Sequence, residues 1–500
     1  MDFFDSLIIG LSVACQINNL LFCFLGVFVG TLVGVLPGIG PVATMSILLP
    51  VTYGIPPTTA IILLSGIYYG AYYGGSTTSI LVNIPGETAS IITCIDGYQM
   101  ALQGRAGPAL GIAAFGSFIA GTLSLIVLQL ISRPLSTVAL KFGPPEYFSL
   151  MILGMVLLTF LTERSLIKSL MMAGVGVLLG NIGLDTMTGV ARFSFGIPEF
   201  FDGLGIVPMA MGLFGISEIL LNLEKEIQRH VTSAKIDHLL PSFKDWMESK
   251  WAILRGTVVG FILGILPGGG GVLATFGSYA VEKMSAKHPE RFGHGAIEGV
   301  AGPESANNAA AGGGYIPLLT LGIPVGPVQA ILLGALMLHG INPGPMLLQE
   351  HPDLFWGVIA SMYVGNIMLL VLNLPLIGLW VKVLKIPYRI LFPLILLLCL
   401  VGGYSINHSV IDVGITCAFG IVGYVMRKFQ YEPAPFMLAF VLSPMMEQAL
   451  RQSLIHSEGS FMIFLTHPVS AGCLILAAVL LVAGIFPFIR RRREKVIEEA

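Results

Sequence analysis

The sequence predicts an all-α, polytopic integral membrane protein of about ten to twelve transmembrane helices. Three observations carry that prediction. Hydrophobic side chains make up 55% of the 500 residues and charged ones 11%, against roughly 25% charged in soluble domains. Apolar runs recur from Leu7 to Phe488 with short polar interruptions, each a candidate span of about 20 residues. Two Pro-Gly segments inside such runs break the helical pattern, which predicts broken or re-entrant hairpins.

The elements follow in order. The N-terminus, MDFFDS, has two aspartates and no basic residue, a poor match to a cleavable signal peptide. From Phe22 to Leu36 an apolar helix of about 22 Å runs into Pro37-Gly38, short of a full crossing. Apolar stretches follow at Ala106 to Ile131, Tyr147 to Leu161, Leu166 to Leu184 and Leu204 to Leu221. The long polar interval Asn222 to Lys250 carries Lys225, Arg229, Lys235, Lys244 and Lys250, so the positive-inside rule places it in the cytoplasm. Further apolar stretches run from Phe355 to Val383, Pro387 to Gly402, Val410 to Met426, Phe436 to Met446 and Phe461 to Ile489. Arg490 to Arg493 abut the last of these, which places the C-terminus in the cytoplasm too. The chain thus divides into a first membrane repeat (1–221), a cytoplasmic loop (222–250), a second membrane repeat (251–430) and C-terminal helices with a basic tail (431–500).

A net charge of −2 offers no basis for nucleic-acid binding. The six cysteines stand singly, mostly in apolar runs, and read as small core residues. His339, His408, His456 and His467 have no second ligand at metal spacing, so no metal site is expected. No Walker A motif and no grouped nucleophile and base appear, so neither ATP hydrolysis nor catalysis is expected.

Shifting the sequence by 230 positions aligns GVFVGTLVGVLPGIG (Gly26 to Gly40) with GTVVGFILGILPGGG (Gly256 to Gly270), eight positions coinciding. A shift of 239 aligns GGSTTSILVNIP (Gly74 to Pro85) with GGYIPLLTLGIP (Gly313 to Pro324). Internal duplication is the simplest account. Lys250, Arg255, Lys283, Lys287 and Arg291 flank the second copy, whereas the first has no basic residue before Arg105. That asymmetry predicts repeats of inverted topology.

Glycine at every fourth position (Gly26, Gly30, Gly34; Gly256, Gly260, Gly264) lines one helix face and reads as close packing. A helix broken at membrane depth frees N–H groups that suit a carboxylate and carbonyls that suit Na⁺. A plain tight turn is the bland alternative, weakened by the motif occurring twice. Beside the breaks lie two polar clusters: Ser76, Thr77, Thr78 and Ser79 with Asn83 and Glu87, and Glu304, Ser305, Asn307 and Asn308. The spacing puts Glu304, Asn307 and Asn308 on one helical face. Such groups also join helices by hydrogen bonds, but an ionisable residue inside a membrane segment points to function.

GTLVGVLPGIGP, GFILGILPGGGG, IDGYQMALQGRAGPAL (Ile95 to Leu110) and GPESANNAAAGGGYIPLLTLGIP (Gly302 to Pro324) resemble the large membrane subunit of bacterial tripartite tricarboxylate transporters, the TctA type, over nearly the whole chain. The resemblance implies a secondary transporter of the bacterial inner membrane, working with a small membrane subunit and a periplasmic solute-binding protein. It implies citrate-like carboxylates as substrates, coupling to a Na⁺ or H⁺ gradient, and no cofactor. It also implies a substrate and ion site among Pro37, Gly38, Gly40, Ser76, Thr77, Thr78, Ser79, Asn83, Pro267, Gly268, Gly270, Glu304, Ser305, Asn307 and Asn308. The alternative reading is a channel or membrane scaffold without coupled transport.

Overall fold

The computed structural model describes residues 3–36, 39–161, 165–185, 187–224, 239–268, 270–384 and 388–485. Pro37, Gly38, Lys225, Arg229, Lys235 and the tail from Arg490 lie outside the described residues. The chain is a helical assembly, and among the described residues one small sheet forms, Gly183–Leu184 paired antiparallel with Ala191–Arg192.

The first repeat comprises α1 (Phe3–Ala14), α2 (Ile17–Val35), α3 (Gly40–Leu48), α4 (Pro57–Val82) and α5 (Ile91–Leu102). Then come α6 (Ala106–Ala139), α7 (Pro144–Leu161), α8 (Leu166–Gly180) and α9 (Ile206–Glu224). The second repeat opens with α10 (Phe243–Ile265), α11 (Gly270–Ser285), α12 (Glu298–Leu321) and α13 (Pro327–Leu338). After α14 (Pro352–Asn373) follow α15 (Tyr388–Asn407), α16 (Val410–Lys428), α17 (Pro433–His456) and α18 (Pro468–Ile485).

Proline chemistry sets the breaks. A residue before proline is pushed out of the helical region, and proline brings no N–H to continue the ladder. Leu36 accordingly turns extended (φ −89°, ψ 100°) after α2, as does Leu266 (φ −80°, ψ 129°) after α10. The helices resume at Gly40 and Gly270, equivalent under the 230-residue shift and both at positive φ (66° and 47°), where a Cβ would be strained. α4 and α12 also end alike. Asn83 (φ 56°) and Gly322 (φ 71°), equivalent under the 239-residue shift, are left-handed caps before Ile-Pro.

The glycine rows pack as their spacing predicts. A Cβ on Gly26, Gly30 or Gly34 would meet the carbonyl oxygens of Leu63, Ile67 and Ala71 at 2.4, 2.5 and 2.2 Å. On Gly256, Gly260 or Gly264 it would meet those of Gly302, Ala306 and Ala310 at 2.2, 2.1 and 2.4 Å. Adding 239 to the first three partners gives the second three, so both repeats use the same helix–helix contact in the same register.

α2, α6, α9, α14 and α16 are long and apolar enough to cross a membrane by length and composition. They also expose large apolar side chains, such as Ile17, Leu21 and Phe24 on α2 and Ile421, Val422 and Val425 on α16, a surface made for lipid. α4 and α12 are different: they are rich in Ser, Thr, Asn and Gly, and buried at nearly every position. They sit inside a shell of apolar helices, α2 and α14 against α4, α10 and α6 against α12.

Five sequence expectations need correction. The helix before Pro37 starts at Ile17 rather than Phe22, and is long enough to cross a membrane rather than short of it. The polar interval is helical from Phe243, because Ser242 and Asp245 form a capping box. The stretch Phe355 to Val383 breaks at Asn373. The apolar run from Leu166 ends as helix at Gly180, and Leu184 belongs to a strand. Cys15 and Cys417 are exposed rather than core residues.

Candidate functional site

The site builds from the crossing of α4 and α12. Glu304, fully buried, accepts a hydrogen bond from Ser76 Oγ at 2.5 Å and a short one from Thr93 Oγ1 on α5. Its backbone oxygen accepts from Ser117 Oγ of α6 at 3.3 Å and from Asn308 Nδ2 at 3.2 Å. Two helices, α4 and α5, therefore hold the carboxylate through neutral hydroxyl donors, which stabilise a buried charge without neutralising it, while α6 and α12 itself satisfy the backbone oxygen. Beside it a cavity of about 10 Å³, lined in part by Tyr73, Ser76, Thr77 and Ser117, has room for about one water.

The Glu304–Ser76 contact has a mirror. Under the 239-residue shift Glu304 corresponds to Ser65 and Ser76 to Tyr315, and Ser65 lies beside Tyr315. Along α4, residues 65 and 76 meet residues 315 and 304 of α12. The order is reversed, so the two equivalent helices cross antiparallel about an approximate two-fold axis.

The broken helices reach across the same axis. The start of α11 packs on the turn Thr88–Ser90 of the first repeat, and α3 packs on α13 of the second. A Cβ at Gly271 would strike Tyr72 Oη at 2.7 Å, Asn307 Oδ1 at 2.9 Å and Ala89 Cβ at 3.0 Å. Thr78 Oγ1 donates to Val35 O at 2.8 Å, satisfying a carbonyl freed where α2 stops. Gly268 N donates to Val325 O at 2.8 Å and ties the second break to the loop after α12. Gly40 and Gly270 face open space, and no side chain caps the start of α3. Uncapped helix starts of this kind attract anions.

Of the residues expected from sequence, Ser76, Thr77, Glu304, Ser305, Asn307 and Asn308 come together here, with Gly270 at the adjoining helix start. Pro267 and Gly268 form the break itself. Ser79 Oγ is committed to Ser90 O at 3.0 Å, and Asn83 is an exposed helix cap. Sequence reasoning missed Thr93 and Ser117, whose partners lie 211 and 187 residues away. It also missed Asp96. That buried carboxylate accepts from the amides of Gly293, Gly295 and Ala296 at 2.8–2.9 Å and from Tyr279 Oη at 2.9 Å, pinning the loop before α12 to α5.

Glu87 is the second buried carboxylate. Its Oε2 accepts from Ala89 N at 2.7 Å, while Oε1 has no hydrogen-bond partner. The Asn307 amide stands next to it, close enough to act on the carboxylate, and neither of its atoms makes a hydrogen bond of ordinary geometry. Among the described residues no ion pair reaches Glu87 or Glu304, and no three His, Cys, Asp or Glu side chains gather as metal ligands.

The comparisons with known proteins agree with one another. The chain is 52% identical over 499 residues to an uncharacterised 52.8 kDa protein of the TAR-I ttuC′ 3′ region of Agrobacterium vitis, covering all of this chain and 99% of that relative. It is 55% identical over 240 residues to an uncharacterised protein of the TAR-II ttuC′ 3′ region of the same species, covering 48% of this chain and 99% of that relative. No solved structure matches it. A family model described as the tripartite tricarboxylate transporter TctA family matches residues 20–438, and with this burial, helix content and duplication the chain belongs to that family.

Proposed function

We propose that this chain is the translocating subunit of a tripartite importer, carrying citrate-like carboxylates across the bacterial inner membrane by alternating access. A periplasmic solute-binding protein delivers the substrate, a small membrane subunit accompanies the chain, and a Na⁺ or H⁺ gradient drives uptake. Membership of the family supports the tripartite arrangement. The antiparallel crossing of α4 and α12 supports inverted repeats, the architecture in which a central site opens to either side.

The observation that carries the reading is the pair of buried carboxylates where α4 and α12 cross, with the start of the second broken helix packed beside them. The amides that open α11, with the unbonded Asn307 nitrogen, form a donor set for a substrate carboxylate. With no basic side chain at the site, a polyanion is held by partial charges and by any cation that enters with it. The glycine rows lock α2 to α4 and α10 to α12, so each pair moves as one body.

The contacts also support an orientation. Arg105 pairs with Asp245 at 2.6 Å, Gln103 donates to His294 O at 2.8 Å and Arg291 pairs with Glu248 at 3.5 Å, which gathers these loops on one face. Lys244, Lys250, Lys283 and Lys287 belong to the same loops and helix ends, which makes that face cytoplasmic.

Uptake of labelled citrate and a panel of di- and tricarboxylates into proteoliposomes holding the assembled complex tests this. Gradient-dependent accumulation that requires the binding protein is expected. A saturable flux needing neither gradient nor binding protein contradicts it, and is what a channel would give.

A further inference from the structure

The molecule holds Glu87 at the same central crossing, a group that the substrate-binding scheme above leaves unused. We infer that Glu87, Asn307 and Tyr72 form a Na⁺ site beside the close approach of Gly271. The inference rests on the transport reading and names where its coupling ion binds.

Two oxygens meet beside Gly271, and the Glu87 carboxylate stands next to Asn307, which carries one of them. Tyr72 Oη and Asn307 Oδ1 flank the point that a Cβ on Gly271 would occupy, at 2.7 and 2.9 Å. Tyr72 Oη donates to Tyr68 Oη at 3.2 Å, and Gln329 Nε2 donates to Tyr68 Oη at 3.3 Å, so the lone pairs of Tyr72 stay available. Glu87 faces Asn307 with Oε1 unbonded, and lies close enough for its charge to act on Tyr68 and Tyr72. Asn307 is completely buried and Glu87 is 7% exposed. Buried polar atoms without partners are uncommon and call for a ligand.

The chemistry of that ligand follows from the atoms. Glu87 and Glu304 lie within reach of each other's field with no ion pair to either, and uncompensated buried charge is expensive. A proton on Glu87 is the competing way to offset that charge, and the pH series below separates the two. A hard monovalent cation takes carboxylate, amide and phenol oxygens together, the ligand type that alkali and alkaline-earth ions prefer. Asn307 then does two jobs: its oxygen holds the cation while its nitrogen remains for the substrate carboxylate. Each ligand makes the other's partner more ordered, which is coupling between sites in thermodynamic terms.

The test measures thermal unfolding of the full chain, purified in detergent, across a Na⁺ titration with K⁺ keeping ionic strength constant, and separately at several pH values. Wild type is expected to melt higher with Na⁺ than with K⁺, as a ligand bound only to the folded state requires. Glu87→Gln keeps the shape but loses the charge, and Gly271→Ala sets a methyl group against Tyr72 Oη and Asn307 Oδ1. Both are expected to raise the half-saturating Na⁺ concentration about tenfold or more, the size of losing one charge-assisted contact. Should Glu87→Gln fail to fold, Glu87→Asp keeps the charge, and ²²Na⁺ binding reads its weakened affinity directly. Equal melting in Na⁺ and K⁺, a shift that follows pH alone, or Na⁺ stabilisation that survives both variants overturns the site. A chain that binds Na⁺ yet moves no carboxylate would fail the transport reading and leave the site standing.

Discussion

At the scale of single residues, Glu304 is the carboxylate on which the site is built. Two hydroxyls donate to its carboxylate, from α4 and from α5. Removing one leaves a buried oxygen partly unsatisfied, a loss of about 1.5–3 kcal/mol for a hydrogen bond to a charged group. Thr93→Val keeps the shape and removes the donor, so its thermal unfolding should fall by that amount. An unchanged melting temperature would mean that the contact contributes nothing to the fold. Glu304 itself was legible in the sequence because a carboxylate in an apolar segment is costly. Thr93 and Ser117 were not, since a hydroxyl in an apolar helix carries no mark of its partner until the fold brings that partner near. Glu87 reads in the sequence as a member of the first polar cluster but not as a site residue. The signal available was the one that singled out Glu304.

At the scale of elements, the glycine rows were fully legible: period four on α2 and α10 predicted close packing, and both helices pack against their partners through those positions. A Cβ on Gly260 would stand 2.1 Å from Ala306 O, against backbone that cannot rotate away. Gly260→Val should therefore destabilise by about 1–3 kcal/mol or more through overpacking, while Gly174→Val, at a position with nothing within 4 Å, should not. Thermal unfolding of the two variants decides it. The strand pair at residues 183–192 was not legible, because four residues of strand leave no period to read. What holds it is Asp185. Its carboxylate accepts from Met187 N at 2.9 Å and pairs with Arg451 at 2.9 Å and with Arg192. The Met187 amide first, then Thr188 and the two guanidiniums, hold its pKa well below the ordinary 3.8. A carboxyl whose folded pKa is depressed stabilises the fold above its unfolded pKa and loses that contribution as pH falls towards the folded value. Asp185→Asn should lower the melting temperature at pH 7, and the difference from wild type should narrow as pH drops below about 3.8. A gap that is constant with pH would show the pairing to be inert.

At the scale of the whole molecule, the all-helical membrane class followed from composition, and the family from four motifs spread along the chain. The arrangement of the spans was less open to reading. α4 and α12 are too polar to score as spans and yet form the centre, because apolar helices shield them from lipid. Shifts of 230 and 239 residues could be read from the sequence; the exchange of contacts between Glu304–Ser76 and Ser65–Tyr315 could not, since it exists only once the two helices cross. The central claim is that this crossing is where a carboxylate and its driving cation meet. Uptake of labelled carboxylate into proteoliposomes containing the complex, with wild type and Glu304→Gln side by side under an imposed Na⁺ or H⁺ gradient, tests it most directly. The account predicts concentrative uptake for wild type and its loss in the variant, with assembly and membrane insertion intact. Concentrative uptake at the wild-type rate by Glu304→Gln would contradict it.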